Sequence, residues 1–479
     1  MSKIFQGFLW SSIEKFSVQG ISLVLSIIIA RIISPGDYGL IAMVQVFTSF
    51  FQIFIDGGFA NALIQKKDRT EIDYQTAFLF NLAIAVLLYF VLFICAPSIA
   101  RFYGEPQLIK LTRIVSLNLV ISSLSIVQRA RLTIELDFKT QSKASIWATV
   151  ASGLTGIVCA YSGWGVWALV TQSLLSSVLI SASLMLFSRW MPRLRFSKNS
   201  FVGLFSFGSK LMASNILTSL SINLGNLLIG KRYSAASLAY YNRGFTLSQY
   251  PSTMVAESLN RVIFPELSRL QDDRKLLKEG YFKYLHLSNF IILPLMVMLI
   301  ALARPLVEVL LTEKWLPAVP YIQIMSLNFV FYPWILQSGN PIAAIGHSGI
   351  LFRYQFLKRG FSLLTLFIAV NISVIAICWG CVASSLFDAG VNSFLLRKEL
   401  QIGFREQVKS QIDVYFAALL VGILLFIWTM TVHNAYIQLF CGGFLALLLY
   451  WIIASLMRMQ ELLFVTAKYR KFLGTYCHK

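Results

Sequence analysis

Seven ionisable side chains interrupt stretches that are otherwise apolar: Glu14, Lys15, Asp56, Lys210, Arg243, Glu257 and Asp388. A charge at the middle of a membrane helix costs about 2.5–3.5 kcal/mol on insertion scales, so such groups normally face a partner or a wet cavity. Lys15 and Lys210 fall at depths similar to Asp56 and Glu257 in the antiparallel neighbours. Lys15 with Asp56 and Lys210 with Glu257 are therefore expected to pair within each half of the chain. One reading of these pairs is structural, and Lys15 can also snorkel toward a membrane surface. The other makes the cations substrate contacts and the acids Glu14, Asp56, Glu257 and Asp388 coupling or gating groups. Arg243 stands outside the pairing scheme, and its planar fork suits a diphosphate better than an ammonium does. Around it lie Tyr240, Tyr241, Phe245 and Tyr250, rings that can stack on sugars but also gather at membrane interfaces without a ligand. Arg31, at the outer end of the first apolar run where the turn begins, completes the candidate contacts.

Other motifs carry less. The stretch GNLLIGKR at 225–232 approaches a nucleotide-binding P-loop, but Arg232 stands where a magnesium-ligating hydroxyl belongs, and an apolar run precedes it instead of a strand. ATP binding is not expected. Cys378 and Cys381 form one C-x-x-C without a second pair, expected at an outer hairpin as small apolar packing rather than a zinc or redox site. His286, His347, His433 and His478 are scattered, so no metal centre or catalytic triad suggests itself. No cofactor is expected. Pro251, Pro265, Pro333 and Pro341, with Gly339, either bend helices as in transporters or are simply tolerated.

The elements that must position these residues follow from composition. Hydrophobic residues make up 57% of the 479, charged residues 13%, and mean hydropathy is +0.70. Soluble domains run nearer ~45–50% and ~25%, so large soluble catalytic domains, disorder, collagen and coiled coil are excluded. A spanning helix needs about 20 mostly apolar residues. Fourteen runs qualify, at 8–33, 38–61, 74–97, 111–130, 143–162, 164–187, 202–229, 236–264, 283–303, 319–338, 358–378, 379–396, 413–432 and 435–457. Their length excludes barrel strands. Glu14 and Lys15 break the first run and no A-x-A-like site follows it, so it is expected to persist rather than be cleaved as a signal peptide.

With the N-terminus cytoplasmic, 31 of the 41 Lys and Arg residues fall in inner segments, 8 in outer ones and 2 within spans. That asymmetry puts both termini in the cytoplasm. It also absorbs most of the net charge of +20, which leaves no basic domain for a nucleic-acid partner. Outer loops are short, about a dozen residues at 98–110 and 304–318.

The chain repeats itself at a period of about 200 residues. ARIISPGDYGL at 30–40 aligns with GKRYSAASLAY at 230–240, so that Arg31 faces Lys231 and Ser34 faces Ser234. Asp56 then answers Glu257. The expected fold is an all-α polytopic membrane protein of about fourteen transmembrane helices. Two pseudo-symmetric six-helix lobes, 1–198 and 199–400, are followed by two further helices and a basic tail, 401–479.

Three stretches resemble Wzx-type polysaccharide exporters: the turn from Arg31 to Leu40, YYNRGFTLSQYPS from Tyr240 to Ser252, and FPELSRLQDD from Phe264 to Asp273. These are lipid-linked oligosaccharide flippases of the multidrug/oligosaccharidyl-lipid/polysaccharide exporter superfamily. The resemblance implies a two-lobed, V-shaped, alternating-access transporter in a bacterial cytoplasmic membrane. It implies a substrate, an undecaprenyl-diphosphate-linked saccharide, carried to the outer leaflet for O-antigen, capsule or exopolysaccharide assembly. Membrane lipids and the polymerase and glycosyltransferases of the same pathway are the implied partners. The extra helix pair resembles the fourteen-helix lipid II flippase branch. A multidrug cation antiporter of the same superfamily is the first alternative, and Lys210 and Arg243 weigh against it. A polysaccharide polymerase or glycosyltransferase is the second, and the short outer loops leave it little room for an acceptor.

Overall fold

The computed structural model describes residues 3–56, 58–188, 190–193, 195–459 and 461. The chain forms two compact units, Met1–Ala239 and Tyr240–Lys479. Unit 1 holds α1 (Lys3–Ile32), α2 (Pro35–Asp56), α3 (Phe59–Gln65), α4 (Glu71–Tyr103), α5 (Leu108–Val115), α6 (Leu117–Ile134), α7 (Phe138–Tyr161), α8 (Val166–Ser188) and α9 (Lys198–Arg232). The boundary falls inside α10 (Ala235–Arg269). Unit 2 continues with α11 (Arg274–Ala301), α12 (Ala303–Leu310), a 3-10 turn (Glu313–Ala318), α13 (Val319–Val330), α14 (Tyr332–Ala344), α15 (Ser348–Ala369) and α16 (Val374–Leu400). It closes with α17 (Phe404–Lys409), α18 (Ile412–Thr431) and α19 (Ala435–Leu456). No strand occurs among the described residues.

Helix starts recur 200–210 residues apart: α2 at 35 and α10 at 235, α4 at 71 and α11 at 274, α7 at 138 and α15 at 348, α8 at 166 and α16 at 374. The aligned serines do the same work. Ser34 Oγ accepts from the Asp37 amide at 3.2 Å and Ser234 Oγ from the Ser237 amide at 3.1 Å, each capping an otherwise unpaired helix N-terminus. Gly39 must stay bare, because a Cβ there would lie 1.8 Å from the Ala235 carbonyl oxygen.

Packing sorts side chains by size. On α18 and α19, Ala417, Ala418, Ala446 and Ala454 are buried while Phe416, Phe426, Phe440 and Phe444 point outward. Small residues let membrane helices approach, and large apolar ones gain nothing by leaving lipid. These two helices share an apolar core with α11 and α13, including Phe290, Met296, Phe329 and Val421.

Eleven helical segments of the described residues are long and apolar enough to cross a membrane; α9, α10 and α15 are outside that set. The latter two carry charges well inside them: Arg243, Glu257 and Arg261 on α10, and Arg353, Lys358 and Arg359 on α15.

Several local expectations are corrected. The turn expected between 378 and 379 lies at 370–373, where Ser373 Oγ accepts from the Ala376 amide and starts α16. The apolar residues on either side of Asn371 and Ser373 had read as one run. Cys378 and Cys381 therefore sit inside α16, not at a hairpin. α15 begins at Ser348, so Arg353, Lys358 and Arg359 are helical, not loop residues. Pro251 and Pro265 lie within an unbroken α10, whereas Pro333 sits in the first turn of α14, just past the break at Phe331. The connections expected at the outer face, 98–110 and 304–318, are largely helical, as α4 runs on to Tyr103 and α12 occupies 303–310.

Candidate functional site

The α10 face that meets α13 repeats every fourth residue, as one stripe of an α-helix must. The Tyr240 hydroxyl donates to the Lys314 carbonyl at 3.2 Å, and its ring meets Trp315 edge-on at 5.9 Å. Gly244 follows, where a Cβ would lie 2.6 Å from the Tyr321 Cβ. Ser248 bonds the Ile322 carbonyl and the Ser326 hydroxyl, and Ser252 the Phe329 carbonyl. This small and hydroxylated seam brings two backbones together. Arg243 flanks it, buried at 9% exposure with its guanidinium carbon 5.0 Å from the ring centre of fully buried Trp315. A desolvated cation over an indole gains about 2 kcal/mol and has its plane fixed. Tyr241 is buried and stacks on Phe245 at 6.3 Å. Both tyrosines are thus part of the packing of unit 2.

The remaining candidates are dispersed. Glu14 on α1 accepts from the Ser145 hydroxyl of α7 at 2.7 Å. Lys15, one residue on, is half-buried, and Arg31 is exposed at the end of α1. Glu257 is half-buried on α10. Asp56 ends α2 and Lys210 lies within α9, but their side chains are outside the described residues, and with them both expected ion pairs.

Asp388 belongs to a constellation that the sequence reading missed. Lys358 of α15 is 7% exposed and donates to the Asn392 side-chain oxygen on α16. Asn392 in turn donates to the Ile335 carbonyl at 2.9 Å. Asp388, one helical turn before Asn392, is half-buried and interacts electrostatically with Lys358 and Arg359. His286 likewise is not isolated: its Nε2 lies 3.0 Å from Asp413 and its Nδ1 2.8 Å from Glu461. Among the described residues no cluster of His, Cys, Asp and Glu is arranged to hold a metal ion.

Unit 1 contains a partly polar groove walled chiefly by α2, α3, α6 and α8, in two compartments of about 460 and 260 Å³ that share Ser122 and Ser177 as lining. The Asn118 amide donates to Ser173 at 2.9 Å, and Ser122 to Gln52 at 3.3 Å.

Long apolar helices, charges concentrated on a few of them and polar interior grooves define a polytopic membrane transporter. The chain belongs to the polysaccharide biosynthesis protein family, whose model matches residues 28–320. It is similar to the teichuronic acid biosynthesis protein TuaB of Bacillus subtilis, 25% identical over 88% of each chain. It is also similar to the succinoglycan biosynthesis transport protein ExoT of Rhizobium meliloti, 23% identical over 93% of this chain and 92% of that one. The lipopolysaccharide biosynthesis protein WzxC of Escherichia coli is 27% identical over 72% and 69% of the two chains. In fold it resembles the lipid II flippase MurJ in an inward closed conformation, with a TM-score of 0.78, 16% identity and coverage of 94% and 98%. An inward-facing multidrug resistance transporter of the MATE family and MOP superfamily follows at 0.61, 17% identical, covering 81% and 98%.

Proposed function

We propose that this protein carries undecaprenyl-diphosphate-linked oligosaccharides from the cytoplasmic to the outer leaflet of a bacterial cytoplasmic membrane by alternating access. The observation that carries the reading is the family match across residues 28–320. Relatives that align over most of their length are named for polysaccharide biosynthesis, and one of them for transport. The charge distribution supports it: helices too polar for lipid on every side need a wet interior, and a lipid-linked saccharide is a polar cargo on an apolar tail. A guanidinium held in one plane by Trp315 suits Arg243 to a bidentate contact with the diphosphate, which an ammonium cannot reproduce. No nucleotide drives the step in this scheme. The enzymes that build and polymerise the saccharide are the expected pathway partners.

The test is surface polysaccharide in cells lacking the gene and complemented with variants, normalised to protein level in the membrane. Wild type should restore export, while Arg243→Lys should fail almost as badly as Arg243→Ala. Deletion cells with full surface polysaccharide and no lipid-linked intermediate in the inner leaflet would overturn the reading. Normal export by Arg243→Ala at normal abundance would remove Arg243 from it.

A further inference from the structure

We propose that the groove of unit 1 is the binding site for the saccharide portion of the cargo, an inference that rests on the transport reading above. Its polar lining follows helix periodicity. On α6, Asn118, Ser122, Ser125 and Arg129 fall on one face, and Gln45 and Gln52 approach from α2. From Asn118 to Thr133 the stripe rises about 22 Å at ~1.5 Å per residue, most of the ~30 Å thickness of a hydrocarbon core.

Hydroxyls alone would mean little, because serine and threonine in membrane helices commonly bond their own backbone. Ser122, Ser125 and Thr48 do so here. The amides are different. Gln45 is exposed in the middle of α2, at a depth where lipid offers an amide no hydrogen-bond partner. The Asn118 side-chain oxygen is buried without a partner, although its nitrogen is satisfied by Ser173. Buried polar atoms are normally paired, so this oxygen keeps unused acceptor capacity in the groove wall, which a donor meets once the Asn118 side chain turns outward.

The chemistry of the lining selects the ligand class. Among the described residues no carboxylate and no aromatic ring lines either compartment, so neither a cation nor a flat aromatic drug finds its usual partner there. Hydroxyls and amides on one side, with Ile126, Ile180 and Leu169 among the aliphatic groups, match a saccharide, which has hydroxyl edges and apolar C–H faces. Arg129 sits at one end, exposed, with no ion pair among the described residues. In the proposed topology that end is cytoplasmic, where a cation draws in an anionic carrier.

The experiment measures affinity of the full-length protein in nanodiscs for two probes, undecaprenyl diphosphate bearing an oligosaccharide and undecaprenyl diphosphate without sugar. Wild type should bind the glycosylated carrier more tightly. Gln45→Leu and Ser177→Val should each weaken that binding roughly three- to tenfold, the worth of a hydrogen bond or two, and change binding of the bare carrier less than about twofold. Thermal midpoints unchanged from wild type exclude misfolding, and Ser177→Thr, which keeps the hydroxyl, should retain affinity. If wild type distinguishes the probes but both groove variants bind like wild type, the groove assignment is wrong while the transport reading stands. If wild type binds both probes equally, the sugar has no site here. If it binds neither, the transport reading itself fails.

Discussion

Lys358 shows what a single residue does in a setting where water is scarce. Its ammonium is buried against Asn392 with Asp388 a turn away, so removing the cation leaves an amide oxygen unpaired and a carboxylate with Arg359 as its remaining cation. Lys358→Met should therefore lower stability by about 2 kcal/mol, less than the ~3–5 expected for a fully buried pair because Asp388 is half-exposed. Neutralising the acid as well should recover part of that loss. Thermal unfolding in detergent checks the order: a double variant Lys358→Met, Asp388→Asn no more stable than the single one would show that the two charges do not interact. The sequence displayed Asp388 as an intramembrane acid but concealed its partner. Lys358 lies in the run RYQFLKR at 353–359, whose three cations look like an inner loop when charge is counted before helix ends are known. Arg243 was legible as an unexplained cation. Trp315, which covers it, sits 72 positions away in a connection that carried no signal.

At the scale of elements, the short helix α17 ties unit 2 together through one side chain. The buried Gln407 side-chain oxygen accepts from the Tyr281 hydroxyl at 3.0 Å, the Trp334 indole at 2.9 Å and the Ser393 hydroxyl at 3.0 Å. Those donors come from α11, α14 and α16. On the surface, the Lys278 ammonium lies 2.8 Å from Glu406 and holds that exposed carboxyl below its ordinary value. Gln407→Leu should cost about 3 kcal/mol or more by stranding buried donors, against ~1 kcal/mol for Ser393→Ala, which removes a single donor. Equal melting temperatures for the two variants would show that the acceptor is dispensable. None of this could be read beforehand, because a glutamine in a six-residue helix has no periodic pattern, and its partners are remote in sequence. The long helices were legible for the opposite reason: each repeats its apolar pattern over five or more turns. Their ends were less so, and the α15–α16 turn lies earlier than expected, at 370–373 in place of 378–379, because its cap, Ser373, lies between apolar stretches.

For the whole molecule the number of crossings decides which side each terminus occupies. Among the described residues eleven segments are long and apolar enough to cross, and an odd number of crossings would put the termini on opposite faces. If α9, α10 and α15 also cross, the number is fourteen and both ends lie on one face, which the Lys and Arg bias, still strongly one-sided after the three α15 cations are taken out of it, makes the cytoplasmic one. Reporter fusions after Ser2 and at Lys479 should both report the cytoplasm, and an outer-face signal at Lys479 would refute the fourteen-span topology. The class of fold and its internal repeat were legible because bilayer thickness and the Ser34 and Ser234 caps leave marks on local sequence. The polar groove was not, since its serines and amides come from four helices whose facing sides only tertiary packing defines. The Gln407 junction bears finally on how the chain is made. That residue is translated 126 positions after Tyr281, which at roughly 5–20 residues per second is a delay of about 6–25 s. Throughout it the nascent bundle holds donors awaiting their acceptor, so unit 2 cannot complete its interior until α17 has left the ribosome.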